Sequence, residues 1–544
     1  MGYATMPVAE DSATGSPGSA KMPLPDARRI RAGRVPDLVL LLPVVILAVA
    51  VRAWNIGGLP FPNDDEGTYL AQAWAVRHAE GLAHYTYWYD HPPLGWIQLA
   101  AVSWLPSWLL PDLPAFVQGR IAMLPVAAAT TALIWAVARR GGLNRPAAGG
   151  AALLHALSPL SVTLGRQIYL DNFAVLWVLA AFAFALSPRR HLWHHVGAGV
   201  CLAFAMLSKE TIAVVLPAVV VALWQGSHRR TRAFSVAGFA SGLLGTALLY
   251  PLYALLKNEL LPGAGHVSLL GTLKFQLAGR AGTGSVFAPG TEAHALVRQW
   301  LDTDPVLPLA GLAATLVVLA LPPRSGLRLR GPALAAVVLA LVALRPGGYL
   351  PKMYIVQLLP FLAIALAAVV QAAIAALPAE RLARGGARGA RGVRATAAAL
   401  LLTGAAVLTV PPWAAAGRHN ATTAETDAYY RAARWLREGH IPDPGGSRVV
   451  VDGVLWLDAV GSGLRPGTGA IWHYKVDQDP AIAETMPHGW RDIDYVVSTP
   501  ALRGERHNPQ MPTIADLLRH ATPVATFGEG DGRIDILKTH NGQG

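Results

Sequence analysis

Residues 196–224 read VGAGVCLAFAMLSKETIAVVLPAVVVALW. The run is too long for one crossing of about 20 residues, and it carries Lys209 and Glu210 at its middle, where each charge costs roughly 2.5–3.5 kcal/mol at a bilayer centre. Two half-length helices meeting at Lys209 resolve both problems. At about 1.5 Å per residue each is shorter than the hydrocarbon is thick, which leaves Lys209 in a recess below one membrane surface. This break fixes the sidedness of every later loop.

With it, apolar segments fall at about 37–53, 116–138, 147–164, 173–186, 196–207, 212–224, 233–256, 305–322, 332–344, 354–376 and 395–412. The 544 residues are 53% hydrophobic and 14% charged, with mean hydropathy +0.37. An α-helical polytopic membrane protein with about eleven transmembrane helices is expected. Lys and Arg gather in 21–34, 139–146, 187–195, 225–232, 322–331 and 377–394 and are sparser in the longer loops between, so the N-terminus is expected in the cytoplasm. The net charge of +12 is then explained by loops facing anionic membrane lipids, with no nucleic-acid partner. Residues 92–111, PPLGWIQLAAVSWLPSWLLP, are apolar enough to span, yet counting them would invert the later loops. They are expected to lie in the membrane interface, anchored by Trp96, Trp104 and Trp108. Residues 1–36 lack an apolar period and read as a disordered cytoplasmic tail, and the run after them as a retained anchor. The lone Cys201 provides neither a disulfide framework nor a thiolate metal site.

The outer side then receives loops 54–115 and 257–304, short turns at 165–172 and 345–353, and a tail from 413 to 544, beyond a transmembrane catalytic domain over 37–412. The tail is long enough to form a small extracytoplasmic α/β domain. TAETDAYYRAARWLREGH (423–440) reads as an amphipathic helix, and SRVVVDGVLWLDAV (447–460), DIDYVVST (492–499) and TPVATFGEGDGRIDILKT (522–539) as strands. It contains no catalytic set and suggests packing or acceptor docking.

The first outer loop opens FPNDDEGTYL (61–70). Residues 67–80 place Tyr69, Leu70, Ala73, Trp74 and Val76 near one face, as in a helix lying on the membrane, with Asp64, Asp65 and Glu66 at its N-terminus. Taken alone, three acids there are ordinary helix capping. Other charged residues reach the same side, however: Asp90 and His91 in YDHPPLGW, Arg166 and Asp171 in GRQIYLDN, Lys209 with Glu210, and Lys352. Arg, Lys and His together can hold a phosphate, and a nearby carboxylate can accept a proton from an attacking hydroxyl.

The order DE-x-x-Y (65–69), x-PPL (91–94), Arg120, SP…GR…LDN (158–172) and SKE (208–210), followed by GGYLPKMYIVQLLPFLAI (347–364), resembles the GT-C glycosyltransferases. In particular it resembles the branch that contains the protein O-mannosyltransferases and the lipid A aminoarabinose transferase, family 39-like, over about residues 37–375. The resemblance implies an inverting transferase with a polyprenyl-phosphate-linked sugar as donor and a protein, glycolipid or polysaccharide hydroxyl as acceptor, acting at the outer face of the cytoplasmic membrane. On that pattern Asp65 is the general base, Glu66 orients it or holds a metal with it, and Asp64 is an extra acid that competes for the base role. Donor phosphate falls to His91, Lys209, Arg166 and Lys352. Asp171, Asp90, Glu210, Arg120 and Tyr69 support them, with an Arg166–Asp171 scaffold pair as the alternative for those two. His91 departs from the branch, whose aminoarabinose transferases have a Lys there. A divalent metal on Asp65 and Glu66 stays open, and no nucleotide or redox cofactor is expected. Two other readings stay open as well: a transporter or flippase of lipid-linked glycans, and a non-catalytic scaffold with an outer sensor domain.

Overall fold

The computed structural model describes residues 37–82, 89, 91–263, 267–322, 326–345, 347–377 and 386–540. The expected 1–36 tail and Asp90 lie outside the described residues.

Every apolar segment named above is helical. The helices are α1 (Asp37–Ala53), α2 (Asp64–Arg77), α3 (Leu94–Leu109), α4 (Ala115–Ala122), α5 (Leu124–Arg140), α6 (Arg145–Leu157), α7 (Pro159–Gly165), α8 (Leu170–Ala185) and α9 (Leu192–Ser208). They continue with α10 (Leu216–Gly226), α11 (Arg232–Ala247), α12 (Leu249–Leu256), α13 (Leu269–Lys274), α14 (Glu292–Thr303), α15 (Val306–Ala320), α16 (Arg330–Ala343), α17 (Leu359–Ala376) and α18 (Gly386–Thr422). By length and composition, four stretches among the described residues can cross a membrane on their own, or six if each bent pair is one span. The others, such as α8, α9 and α16, are apolar but shorter than a full crossing. The expected break is present: α9 stops at Ser208, Lys209 is extended, and a 3-10 turn over Glu210–Val215 leads into α10.

Small residues let the spans approach closely. A Cβ on Gly199 of α9 would sit 2.1 Å from the Phe239 carbonyl oxygen of α11, and one on Gly242 would sit 2.4 Å from that of Val196. Two bends are tied to each other. α6 and α7 turn by 62° and α14 and α15 by 99°. Ser158, which caps α7, donates to Asp304 at 2.5 Å, and the same carboxylate receives the Val306 and Leu307 amides and the Trp413 indole. The acid thus satisfies donors exposed by one bend and anchors the other.

The chain ends in a five-stranded sheet of order β2-β1-β3-β5-β4: β1 Val449–Val451, β2 Ala470–Trp472, β3 Tyr495–Ser498, β4 Ala521–Phe527 and β5 Ile534–Thr539. β1 is parallel to β2 and β3, whereas β3–β5 and β5–β4 are antiparallel. The amphipathic helix α19 (Asp427–Arg437) forms as expected. The strand expected over 447–460 stops at Val451, because the Asp452 side chain accepts the Leu455 amide and starts α20 (Gly453–Gly461). The short strand β2 had no alternating run to announce it.

α2 is not a surface helix on the membrane. Nine of its fourteen residues are buried, because α2–α4 share one apolar core with α19, α20 and the sheet; Trp74 meets Trp456 edge-on at 5.6 Å. Trp96 is likewise 3% exposed within that core, while Trp104 and Trp108, at 50% and 71%, keep the outward position expected of all three. The two units also cap each other's helices. Asp64 accepts the Gly453 amide at the start of α20, and Asp458 of α20 accepts the Ala115 amide at the start of α4. Gly67 passes so close that a Cβ there would lie 2.0 Å from the Gly453 carbonyl carbon. Gly67→Ala is therefore expected to weaken docking of the sheet unit by about 1–3 kcal/mol. Limited proteolysis should then release a fragment starting near Thr423, and cleavage as slow as in the wild type would contradict the close contact.

Candidate active site

The first turn of α2 carries its three acids into three different environments. Asn63 caps the helix, its side chain receiving the Asp65 amide while its own amide donates to Glu66. Glu66 is fully buried and its oxygens are committed: Arg120 donates from Nε at 2.9 Å and from Nη2 at 2.8 Å, Gln167 Nε2 at 2.8 Å and the Ile168 amide at 3.2 Å. Burial alone would raise its pKa, but the Arg120 guanidinium outweighs it and holds the carboxyl below its ordinary value. With both oxygens so engaged, the residues present do not fit a divalent ion shared by Asp65 and Glu66, and Glu66 is a framework residue rather than a metal ligand. Among the described residues no three His, Cys, Asp or Glu side chains form a metal-binding group.

Asp64 turns the other way, into the sheet unit, where Gly453 N donates to Oδ1 at 2.7 Å. Burial raises its pKa to about 7, and burial together with the Asp64 charge raises that of Asp452 to about 6. Asp64, entered as a candidate base, is therefore a docking acid. Asp65 is half-buried and lies within electrostatic reach of Tyr169 on the bundle and of Tyr474 on the sheet unit.

The second group is built around the break at Lys209. Lys209 Nζ lies 2.8 Å from His91 Nε2, and His91 Nδ1 lies 3.1 Å from Glu210 Oε2. An ammonium can only donate, so Nε2 is the acceptor and Nδ1 carries the proton given to Glu210. His91 is thus neutral and holds Lys209 in place; it does not replace the missing lysine as a cation. Tyr69 flanks it with ring centroids 6.0 Å apart. Asp171, in the Coulomb field of Lys209, accepts from Gln357 Nε2 at 2.6 Å, and the same amide donates to Thr211 at 2.9 Å. Gln357 and Tyr169 were missed in the sequence, and the only signal for either was a polar atom inside an apolar run. Tyr169 is fully buried within electrostatic reach of Asp65 and Asp171, and so lies between the two groups.

One expected phosphate ligand is committed elsewhere. Arg166 spends its guanidinium on the carbonyls of Val51, Asn55 and Leu59, tying down the end of α1. It therefore pairs neither with Asp171, as the scaffold alternative had it, nor with a phosphate. Lys352 lies within electrostatic reach of Glu66, Glu425 and Arg120. A groove of about 320 Å³ is lined by His91, Trp96, Tyr250 and Tyr253, with Lys257 and the acids Glu80 and Glu259 on its wall. It starts beside α12, whose Leu249, Leu252, Leu255 and Leu256 are exposed.

Glu66→Gln should leave the Arg120 charge buried without its counter-ion and cost about 3–5 kcal/mol, while Glu66→Gln with Arg120→Met should recover part of that; thermal unfolding of the two variants decides it. The docked Asp64 keeps its proton up to about pH 7, whereas an undocked carboxyl loses it near pH 4. Docking is therefore fully stabilised below about pH 4 and weakens as pH rises through 7. Asp64→Asn should flatten this slope, measured as the pH dependence of proteolytic release of the sheet unit.

A family model described as dolichyl-phosphate-mannose-protein mannosyltransferase matches residues 108–255. No curated protein sequence matches the chain. Among solved structures, ArnT from Cupriavidus metallidurans, crystallised with undecaprenyl phosphate, is similar at 16% identity and TM-score 0.56, over 92% of this chain and 98% of that one. The oligosaccharyltransferase of Archaeoglobus fulgidus in its apo form is similar at 15% identity and TM-score 0.52, over 91% of this chain and 74% of that one. This chain has the GT-C fold and resembles the ArnT and protein O-mannosyltransferase branch of it.

Proposed function

We propose that this protein is a membrane glycosyltransferase that moves a sugar from a polyprenyl-phosphate carrier to an acceptor hydroxyl at the outer face of the cytoplasmic membrane. The observation that carries the reading is the Lys209–His91–Glu210 cluster, whose His91 lines a groove that also borders α12, a helix with exposed leucines. A carrier phosphate drawn along that groove meets an ammonium held in place by a neutral imidazole. The undecaprenyl phosphate bound by the similar ArnT structure supports a lipid carrier. The basic loops at the other end of the bundle favour an outward position for this cluster.

Asp65 takes the proton of the acceptor hydroxyl as the oxygen attacks the anomeric carbon. The carbon–oxygen bond to the phosphate breaks on the opposite face, the electron pair leaves with the phosphate, and the anomeric centre inverts. Lys209 offsets the growing charge on the leaving group, and its worth rises in a site that excludes water. Glu66 and Arg120 hold the helix that aims Asp65 and do not touch the reacting atoms.

Purified protein supplied with a panel of radiolabelled polyprenyl-phosphate sugars and mixed acceptors should release carrier phosphate. Asp65→Asn is expected to lower the rate by about 10²–10⁴, with Asp64→Asn losing much less. Lys209→Met should slow release by about 10²–10³. Equal losses for Asp64→Asn and Asp65→Asn, or no release by the wild type from any donor, would contradict the assignment.

A further inference from the structure

The order β2-β1-β3 places β1 between the two strands that follow it, so the chain leaves β1 first to one side and then to the other. In parallel α/β sheets such a reversal opens a crevice at the carboxyl ends of the strands, where ligands collect. Here that crevice faces the first turn of α2. β1 is followed by Asp452 and Gly453, the residue that holds Asp64. The register pairs Val451 with Trp472, so β2 ends beside them with Trp472 and Tyr474. β3 is followed by Thr499, a short helix and Glu505.

These strand ends form an ordered polar and aromatic surface. Trp472 and Tyr474 meet edge to face at 5.1 Å and are both partly exposed. The Tyr474 hydroxyl donates to Glu505 Oε1 at 3.0 Å, and Asn508 Nδ2 donates to Oε2 at 2.7 Å. Asp64 and Asp65, on the first turn of α2, are both in electrostatic reach of Tyr474.

We propose that this surface is the acceptor side of the site, and that the acceptor is a neutral, hydroxyl-rich glycan stacked on Trp472 and Tyr474. The inference rests on the transferase reading. Aromatic rings present flat apolar faces to the C–H side of a sugar ring, while a carboxylate and an amide on the same surface suit its hydroxyls. Charge disfavours an anionic acceptor, since Glu505 lies on this surface and Asp65 within electrostatic reach of it. Two basic groups near these strand ends are engaged: Lys475 pairs with Asp479 at 3.2 Å, and Arg503 donates to the Ser498 and Asp531 carbonyls.

The test uses the full chain in detergent micelles, with neutral gluco-, manno- and arabino-oligosaccharides and a Ser/Thr-rich peptide as probes. Binding is read by tryptophan fluorescence and turnover by carrier release. At least one oligosaccharide should bind and accelerate release. Trp472→Ala should raise its KM at least tenfold with kcat changed less than threefold, and Trp472→Phe should restore most of the loss at an unchanged melting temperature. Acceleration by the peptide and by no oligosaccharide would overturn the proposal, as would an unchanged KM in Trp472→Ala. Oligosaccharide binding that depends on Trp472 without any carrier release would support this surface as a glycan site while sinking the transferase reading.

Discussion

The buried pair of Glu66 and Arg120 is the constraint on which the rest of the site depends. Two charges with no solvent access are tolerable only if every lone pair and proton is met, and here Gln167, the Ile168 amide and the carbonyls of Ile56 and Pro60 complete the set. The pair therefore pins four separate stretches at one point: the loop after α1, the first turn of α2, α4 and the turn before α8. That pinning fixes the turn that brings Asp64 to the Gly453 amide and Asp65 within electrostatic reach of Tyr169 and Tyr474.

Much of the membrane bundle could be read from its apolar runs. The break at Lys209 was visible because a Lys–Glu pair in mid-membrane has no other inexpensive explanation. The same reasoning failed for residues 64–77, because a helix apolar on one side looks identical whether lipid or another part of the chain covers it. The covering surface lies almost four hundred positions later, in α20, and no local pattern connects the two. Strand β1 and helix α20 were merged for a similar reason: VVVDGVLWLDAV alternates well enough for a strand, and only the Asp452 cap separates the two elements.

The candidate site was legible as a set of charged residues and illegible as a geometry. Asp65, Lys209, His91 and Glu210 could be picked out because charge beside an apolar run is costly. What each charge does depended on partners with no charge at all, among them the backbone amide of Gly453, which claims Asp64, and the carbonyls that claim Arg166. Sequence reasoning weighs Arg against Asp and overlooks carbonyl oxygens, which every residue supplies. Gln357 escaped notice because a single amide in an apolar helix is unremarkable until its two partners are known.

Helix α18 offers a last consequence. Its 37 residues extend about 55 Å at 1.5 Å per residue, and Leu400, Leu401, Val407 and Leu408 stand exposed along it. No protein covers these four side chains, so almost any greasy residue serves at such positions equally well. Selection on that stretch should be slack in letter and strict in length, and related chains should diverge along it while keeping the number of turns between the bundle and the sheet.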